Sequence, residues 1–186
     1  ADAYGALSAA ALKAFYFNRA GVALDAAHAG PWARPAGHPD TQVLVHASAA
    51  SQGRPEGTVI SAPKGWYDAG DYNKYVVNAG ATVGVMFRAW SDFGPAIERV
   101  NLGVPQTTAR LPGFLAELKW ELDWLRSMQA ADGSVYHKVS AKNFGGMIAS
   151  DKDADPRYVV PWSSAATADF TAMMAQAARI YQPYDA

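Results

Sequence analysis

Apolar residues recur at helical spacing in four segments of the chain. The clearest segment follows Pro112, where leucines step by three, four and three residues along one side of a helix, at Leu115, Leu118, Leu122 and Leu125. The opposite side of this helix carries charged residues, namely Glu117, Lys119, Glu121, Asp123 and Arg126. The same periodicity predicts three further helices, at about Leu7–Arg19, Asn78–Phe93 and Ser164–Tyr181.

Two long connections separate the predicted helices. The first lies between Arg19 and Asn78, is rich in proline and glycine, and contains two strand-like stretches, Gln42–Ala47 and Gly57–Ser61. The second follows the leucine-rich helix and ends at Ser164. Connections of this length in a compact domain are usually functional or disordered. Because both are rich in Trp, Tyr and His, disorder is disfavoured, and we expect a helical scaffold that presents long, ordered loops.

The composition excludes several classes of protein. Half of the 186 residues are hydrophobic, which is enough for a packed core. The 16 basic and 17 acidic residues leave a formal net charge of -1, whereas a general nucleic-acid-binding protein usually carries a basic excess. Without cysteine, the chain has no disulfide framework, no thiolate metal site and no cysteine nucleophile. No apolar run approaches the ~18 residues of a membrane-spanning helix, and no signal peptide is recognisable.

The densest group of polar and aromatic residues lies between positions 65 and 75, just before the second predicted helix. Asp68 and Asp71 are separated by Ala and Gly, which let the backbone turn tightly, so that both carboxylates can point into one cavity. Two close carboxylates repel each other, which can raise the pKa of one and leave the other a competent base. The surrounding aromatic residues present flat faces suited to sugar rings, namely Trp66, Tyr67, Tyr72 and Tyr75. Lys74 either tunes the carboxylate pair or faces solvent.

Other interpretations of this segment stay open at the level of sequence. An Asp just before a helix can be an ordinary N-cap that accepts from helix N–H groups, or it can take part in a turn. The aromatic residues can belong to the core. Calcium binding by an EF-hand loop does not fit, because the twelfth position counted from Asp68 is Ala79 rather than Glu.

Several collinear motifs resemble glycoside hydrolase family 9, which contains inverting cellulases and cellodextrin-degrading enzymes. Residues 65–71 read Gly-Trp-Tyr-Asp-Ala-Gly-Asp and match the signature of that family. The resemblance covers essentially the whole chain and continues at residues 72–78, 119–124, 128–129, 132–139 and 164–170. The segment at 72–78 is similar to the subgroup that carries an immunoglobulin-like domain before the catalytic domain.

The resemblance implies an all-α fold, an (α/α)6 barrel with long loops. Residues 1–186 would be the N-terminal portion of one catalytic domain, roughly a third to a half of the barrel, and therefore incomplete. The implied reaction is inverting hydrolysis of β-1,4-glucosidic bonds in cellulose, cellodextrins or related β-glucans. In the family the second Asp of the signature is the general base and the first helps to hold the attacking water, so the roles fall to Asp71 and Asp68. The general acid, a Glu, would lie outside this chain.

The resemblance also assigns substrate contacts. His137 matches the family position that reaches the sugar near the cleavage point, although a loop histidine can also serve a purely structural hydrogen bond. Trp66, Tyr67, Tyr72 and Trp162 would line the cleft, with Tyr158 as a weaker candidate. We expect Trp120 and Trp124 to belong to the core instead, because they lie on the leucine-rich helix.

Metal binding departs from the pattern of the subgroup. Many members bind a structural zinc through two Cys and two His, but here Ala20 and Gly37 stand at the Cys positions, and only His38 and His46 remain. Two histidines without thiolates make a poor zinc site, so a structural zinc is not expected. The acidic loop with Asp151, Asp153 and Asp155 is compatible with calcium or with a solvated surface loop. No cofactor is required for the implied reaction.

The implied partners are a β-glucan or cello-oligosaccharide substrate and the remaining part of the catalytic domain, with no nucleic acid and no membrane. The implied location is secreted or periplasmic. Two alternatives remain. An exo-acting β-glucosidase or glucosaminidase would use the same Asp pair with one end of the cleft blocked, for example by the loop from Ala20 to Lys64. A non-catalytic carbohydrate-binding protein would use the aromatic residues alone.

Overall fold

Five α-helices form the scaffold of the computed structural model, which describes residues 4–105, 108 and 110–184. They are α1 (Gly5–Phe17), α2 (Ala26–Ala29), α3 (Val76–Ile97), α4 (Gly113–Ser127) and α5 (Ser164–Tyr181). The four helices predicted from periodicity are confirmed as α1, α3, α4 and α5. The short α2 was not predicted, because a single turn carries no detectable apolar repeat.

The helix boundaries have local causes. The hydroxyl of Ser163 accepts a hydrogen bond from the N–H of Ala166 at 3.0 Å, which caps the N-terminus of α5. The N-cap position of α3 is Tyr75, and no side chain of the described residues caps this helix. The alternative in which Asp68 or Asp71 merely caps the second predicted helix is therefore wrong. Near its C-terminus α3 is kinked at Phe93, two residues before Pro95.

A five-stranded mixed sheet joins the two long connections. Its strands are β1 (Val43–Val45), β2 (Val59–Ile60), β3 (Lys74–Tyr75), β4 (Lys138–Ala141) and β5 (Arg157–Val159), in the order β2-β1-β5-β4-β3. β1 and β5 are parallel, and every other neighbouring pair is antiparallel. The two stretches that read as strands are confirmed as β1 and β2. The expectation of an all-α chain is wrong, because the pairing partners lie far apart in sequence and β3, β4 and β5 are too short to show an alternating pattern.

The loops that precede and follow the strands lie at two opposite edges of this sheet. β1, β3 and β5 begin at the edge where β4 ends, which brings the segments containing Asp40, Asp71 and Arg157 together. We call this the Asp71 edge. The same three strands end at the opposite edge, where β4 begins and where Trp162 follows β5. We call this the Trp162 edge.

The apolar core lies between α3, α4 and α5 and continues under the sheet. Trp124, Phe87 and Met173 are fully buried there, which confirms the expectation that Trp124 is a core residue. Trp120 is only half-buried and lies against the guanidinium of Arg19, at 4.6 Å. None of the helices within the described ranges is long and apolar enough to cross a membrane.

Candidate active site

The carboxylates Asp68 and Asp71 lie on a loop, residues 65–73, that we call the Asp loop. Its first residue, Gly65, has a φ of +83°, and an added Cβ would lie 2.8 Å from the ring of Trp124 on α4. Only glycine lets the chain pass this close to the helix with that backbone conformation. The carbonyl of Gly65 accepts from the N–H of Ala20 at 2.8 Å, and the N–H of Tyr67 donates to the carbonyl of Asn18 at 2.8 Å. The start of the loop is therefore held against α4 and the end of α1.

The carboxylate of Asp71 is oriented by three hydrogen bonds. The backbone N–H of Asn73 donates to Oδ1 at 3.1 Å, while the Asn73 amide and the Tyr75 hydroxyl donate to Oδ2 at 3.1 and 2.9 Å. The side chain of Asn73 is itself fixed, because its Oδ1 accepts from the N–H of Ala141 at 3.2 Å. Asp71 is only partly buried, so its carboxylate is held in one direction and still reaches solvent.

Asp68 lies on the same loop and is exposed. Its Oδ1 accepts from the side-chain amide of Asn78 in the first turn of α3 at 2.8 Å, and its N–H donates to the carbonyl of Asn73 at 2.9 Å, which closes the loop. Burial raises the pKa of Tyr75, and the Asp71 and Asp68 carboxylates add to that shift. The Tyr75 hydroxyl therefore stays protonated and keeps donating to Asp71. Asn73, Tyr75 and Asn78 are hydrogen-bond partners of the two carboxylates, and the sequence analysis did not single them out in this role.

The aromatic residues of the Asp loop have structural contacts. Trp66 is buried, and its indole N–H donates to Oε1 of Glu117 at 2.8 Å. Tyr67 is also buried, and its hydroxyl donates to the carbonyl of Gly37 at 2.9 Å, while burial raises the pKa of Tyr67 to about 12. Both rings still border a cleft of about 90 Å³ together with Asp68 and Tyr75. Their contact with a sugar ring stays a prediction, and their contacts within the chain anchor the loop.

Tyr72 follows Asp71 directly and has a φ of +55°, in the left-handed region that favours glycine. Its hydroxyl donates to the carbonyl of Ile148 at 2.7 Å, and its ring packs against Tyr67 with the ring centres 5.0 Å apart. The backbone carbonyl of Tyr72 accepts from Nη1 of Arg157 at 2.8 Å. These contacts maintain an unfavourable backbone conformation next to the predicted base.

A buried ion network supports the Asp loop from below. Lys74 Nζ lies 2.7 Å from Oδ2 of Asp40, and Arg157 Nε lies 2.9 Å from Oδ1 of the same carboxylate. Although burial by itself would raise it, the two cations hold the pKa of Asp40 below its usual range. Lys74 is fully buried and also donates to the carbonyls of Ala62 and Lys64. It neither faces solvent nor contacts the Asp pair, so both expectations for Lys74 are wrong.

Two glutamates on α4 are buried where the sequence placed a charged side. Glu117 accepts from Nε of Arg19 at 3.1 Å, and Oε2 of Glu121 accepts from the N–H of Trp66 at 2.6 Å. Burial raises the pKa of Glu121 to about 8, so its carboxyl is mostly protonated at neutral pH. No sequence signal separates these two residues from the exposed charges on the same helix, because the segment that covers them comes from the Asp loop.

Glu121 predicts how stability depends on pH. Its pKa in the folded protein, about 8, lies above the ordinary value of 4.5. The contribution of Glu121 to the free energy of unfolding is therefore fully present below about pH 4.5 and is lost as the pH rises to about 8. A Gln side chain stays neutral at every pH. We therefore expect the stability of Glu121→Gln, relative to that of the parent protein, to increase by on the order of a few kcal/mol as the pH rises from 5 to 8. Thermal denaturation midpoints at several pH values measure the difference. Glu98→Gln, at an exposed position, is the control. If the denaturation midpoints of Glu121→Gln and of the parent protein changed equally with pH, the raised pKa of Glu121 would be contradicted.

The other predicted contact residues lie on segments outside the Asp loop. His137 precedes β4, its carbonyl accepts from the N–H of Val76, and its Nδ1 lies 3.0 Å from the hydroxyl of Ser163. Trp162 is 60% exposed at the Trp162 edge. Tyr158 is half-buried in β5, with Lys142 Nζ 5.0 Å from its ring centre. The structure thus brings Asp68, Asp71, Trp66, Tyr67 and Tyr72 together in one loop, whereas His137 and Trp162 approach from the opposite edge of the sheet.

The two histidines that remain from the zinc-binding pattern of the subgroup contact different side chains. His38 is buried, with Nδ1 2.9 Å from the Tyr67 hydroxyl and Nε2 3.3 Å from Oδ2 of Asp153. His46 pairs with Ser48 instead. A Cβ at Gly37 would collide with the carbonyl of Ser150, so a side chain at this position needs the backbone to move. Within the described ranges, no three His, Cys, Asp or Glu side chains are grouped as metal ligands.

Comparison with known proteins gives a consistent result. The family model described as glycosyl hydrolase family 9 matches residues 4–186. A xyloglucan-specific endo-β-1,4-glucanase of Bacteroides ovatus is 44% identical over 180 residues, which are 96% of this chain and 31% of that protein. Endoglucanase D of Acetivibrio thermocellus is 58% identical over 130 residues, which are 69% of this chain and 21% of that protein.

Solved structures of glycoside hydrolase family 9 proteins are also similar to this chain. A Bacteroides ovatus GH9 protein superposes with a TM-score of 0.94 at 44% identity, covering 96% of this chain and 33% of the other. A metagenome-derived glycoside hydrolase family 9 endoglucanase superposes with a TM-score of 0.89 at 34% identity, covering 98% of this chain and 32% of the other. The chain thus spans about a third or less of the length of these relatives.

Proposed function

The chain belongs to glycosyl hydrolase family 9, and on that basis we propose that the complete natural protein hydrolyses β-1,4-glucosidic bonds in β-glucans. The observation that carries the proposal is the carboxylate of Asp71, which Asn73 and Tyr75 orient while it remains open to solvent. A second carboxylate, Asp68, lies three residues away on the same loop. The relatives support the substrate class, because their names describe endo-β-1,4-glucanases and endoglucanases.

In the proposed reaction Asp71 acts as the general base. Its carboxylate removes a proton from a water molecule as that water attacks the anomeric carbon from the side opposite the leaving group. The glycosidic carbon–oxygen bond breaks, and a carboxylic acid on the other face of the sugar donates its proton to the departing oxygen. Asp68 accepts the second hydrogen of the water and so orients it. This displacement inverts the configuration at the anomeric carbon.

The general acid is proposed to be a Glu outside residues 1–186. The four glutamates of the chain are Glu56, Glu98, Glu117 and Glu121. Glu117 and Glu121 are buried between α4 and the Asp loop, and their oxygens accept from Arg19 and Trp66. Glu121 borders the small cleft beside Asp68, but its side chain is almost fully buried and its Oε2 accepts from the N–H of Trp66, so we do not assign the acid to either glutamate. We propose that the rest of the protein supplies the acid and completes an (α/α)6 barrel around α1, α3, α4 and α5.

The stereochemical outcome tests the proposal. We expect the complete natural protein to release products from a soluble β-1,4-glucan first in the α configuration, because a single displacement inverts the β bond. Proton NMR spectra recorded during the first minutes of hydrolysis, before the anomers equilibrate, measure this. A reaction mixture without protein is the control. An initial excess of the β anomer would show that the mechanism retains configuration, and the absence of new reducing ends would exclude glucan hydrolysis altogether.

A further inference from the structure

The cleft beside Asp68 leads from the surface of the Asp loop toward a buried glutamate. Its volume is about 90 Å³. Its exposed lining residues, which mark the mouth, are Asn18, Asp68 and Asn78. Glu121 of α4 lines the same cleft and is only 1% exposed. The cleft therefore connects the second carboxylate of the proposed catalytic pair with a buried carboxyl group that has no part in the proposed reaction.

The carboxyl group of Glu121 is hydrogen-bonded on one side only. Its Oε2 accepts from the N–H of Trp66 at 2.6 Å, and no other hydrogen bond to this group comes from the described residues, 4–105, 108 and 110–184. Burial raises the pKa of Glu121 to about 8 and the charge of Glu117 adds to this shift, although the Trp66 N–H and the charge of Lys74 oppose it. Because Oε2 already accepts from Trp66, the carboxyl proton at neutral pH is assigned to Oε1, where it needs an acceptor.

The cleft has the size and the polarity that bound water requires. One water molecule needs roughly 10–15 Å³ and two to four polar partners, so a cleft of about 90 Å³ has room for several. The polar side chains that line it are Asn18, Asp68, Asn78, Thr82 and Glu121. Buried polar groups are rarely left without a hydrogen bond, and ordered water commonly supplies the missing partner. The free O–H of Glu121 therefore favours a water molecule at the inner end of the cleft.

The proposed reaction gives such water a use. Each cleaved bond consumes one water molecule, which attacks from the side of the sugar that faces Asp71. A glucan chain bound over the open side of Asp71 displaces bulk water from that side. The cleft opens beside Asp68, which orients the attacking water in the proposed reaction. Water stored there can reach the Asp pair while the sugar blocks the direct route from solvent.

We propose that this cleft is the water compartment of the proposed active site, in which Glu121 is a positioning residue that anchors the innermost water molecule. The inference rests on the proposed function, because it assigns the water to hydrolysis. In this role Glu121 acts through water rather than by contact with the sugar. It transfers no proton to the leaving group, so the general acid is still supplied from outside residues 1–186.

A crystal structure of the complete natural protein, at a resolution that shows ordered water, tests the first part of the proposal. We expect a water molecule within about 3 Å of Oε1 of Glu121, with further water between it and Asp68. A cleft without ordered water, or one filled by a side chain from the rest of the protein, would overturn the proposal. This measurement needs no turnover, so it decides the water site even if the protein fails to hydrolyse glucan and the proposed function is wrong.

Filling the cleft tests the second part. Ala79 of α3 is buried and lines the cleft, so Ala79→Val places additional methyl groups where the water would lie. We expect kcat on a soluble β-1,4-glucan to fall by about tenfold with a much smaller change in KM, because the loss concerns the attacking water and not the binding of the sugar. Ala81→Val is the matched control, since Ala81 is exposed on the same helix and lies outside the cleft.

Substitutions of Glu121 itself separate anchoring of water from packing. Glu121→Leu removes the polar group and should lower kcat to a similar extent. Glu121→Gln has a similar size, and its amide can still bind water and accept from the N–H of Trp66, so it should recover most of that loss. If a folded Ala79→Val variant matched the kcat of Ala81→Val, or if the Gln and Leu variants were equally impaired, the proposal would be contradicted. If Ala79→Val does not fold, the two Glu121 variants decide.

Discussion

Replacing Asp71 with Asn in the complete natural protein is expected to lower kcat by about 10²–10⁴-fold, with a much smaller change in KM. Asn has nearly the same size and can still accept the N–H of Asn73 through its amide oxygen. It cannot take a proton from water at neutral pH, so the loss falls on the chemical step. Initial rates on a soluble β-1,4-glucan, at several substrate concentrations, separate kcat from KM.

Asp92→Asn is a suitable control for this substitution. Asp92 lies on α3 in an exposed pair with Arg88 at 2.7 Å, far along the helix from the Asp loop. The same chemical change at this position should leave the kinetics unchanged. If Asp71→Asn kept a kcat near that of the parent protein, Asp71 would be excluded as the general base, and Asp68 would become the candidate.

Removing the buried carboxylate of Asp40 is expected to produce the largest loss of stability. Asp40→Asn leaves the cations of Lys74 and Arg157 inside the protein without their shared counter-charge. Breaking a buried ion pair from one side typically costs about 3–5 kcal/mol. The loss should appear as a lower midpoint of chemical denaturation. Because Arg157 also holds the carbonyl of Tyr72, we expect the folded fraction to have a lower kcat as well.

The pair between Lys64 and Asp123 gives the comparison. It has a similar distance, 2.7 Å, but its side chains are 40% and 26% exposed. Water already solvates these charges, so Asp123→Asn should change the free energy of unfolding by less than about 1 kcal/mol. Equal losses at Asp40 and Asp123 would show that burial of the network contributes nothing, which would contradict its role as support for the Asp loop.

The helices were predictable because their signal is local. The leucine repeat of α4 depends only on residues three and four apart, and the structure confirms it. β3 and β4 gave no such signal, since each pairs with a segment far away in sequence. Lys74 illustrates the same limit. Its position beside Asp71 indicated an electrostatic role, yet its partner Asp40 precedes it by 34 residues and reaches it only through the folded sheet.

The Asp pair was predictable as a chemical unit, whereas its supporting contacts were not. Asp68 and Asp71 are close in sequence, and the backbone turn that brings them together is local. Asn73 and Tyr75 lie in the same motif, but their hydrogen bonds to Asp71 depend on side-chain directions that the sequence does not specify. Trp66 and Tyr67 show the converse case. They were expected to contact substrate, and the structure gives both of them buried hydrogen bonds to the scaffold.

The parallel pairing of β1 with β5 has a consequence for biosynthesis. The contact from Arg157 to the carbonyl of Tyr72 spans 85 residues, and its contact to Asp40 spans 117. A ribosome adding about 5–20 residues per second needs roughly 4–17 s to pass from Tyr72 to Arg157. During that interval Asp71 and its neighbours are already synthesised but lack the arginine that holds them. The Asp loop therefore reaches its final structure late during translation, because its supporting contacts require the long-range pairing of β1 with β5.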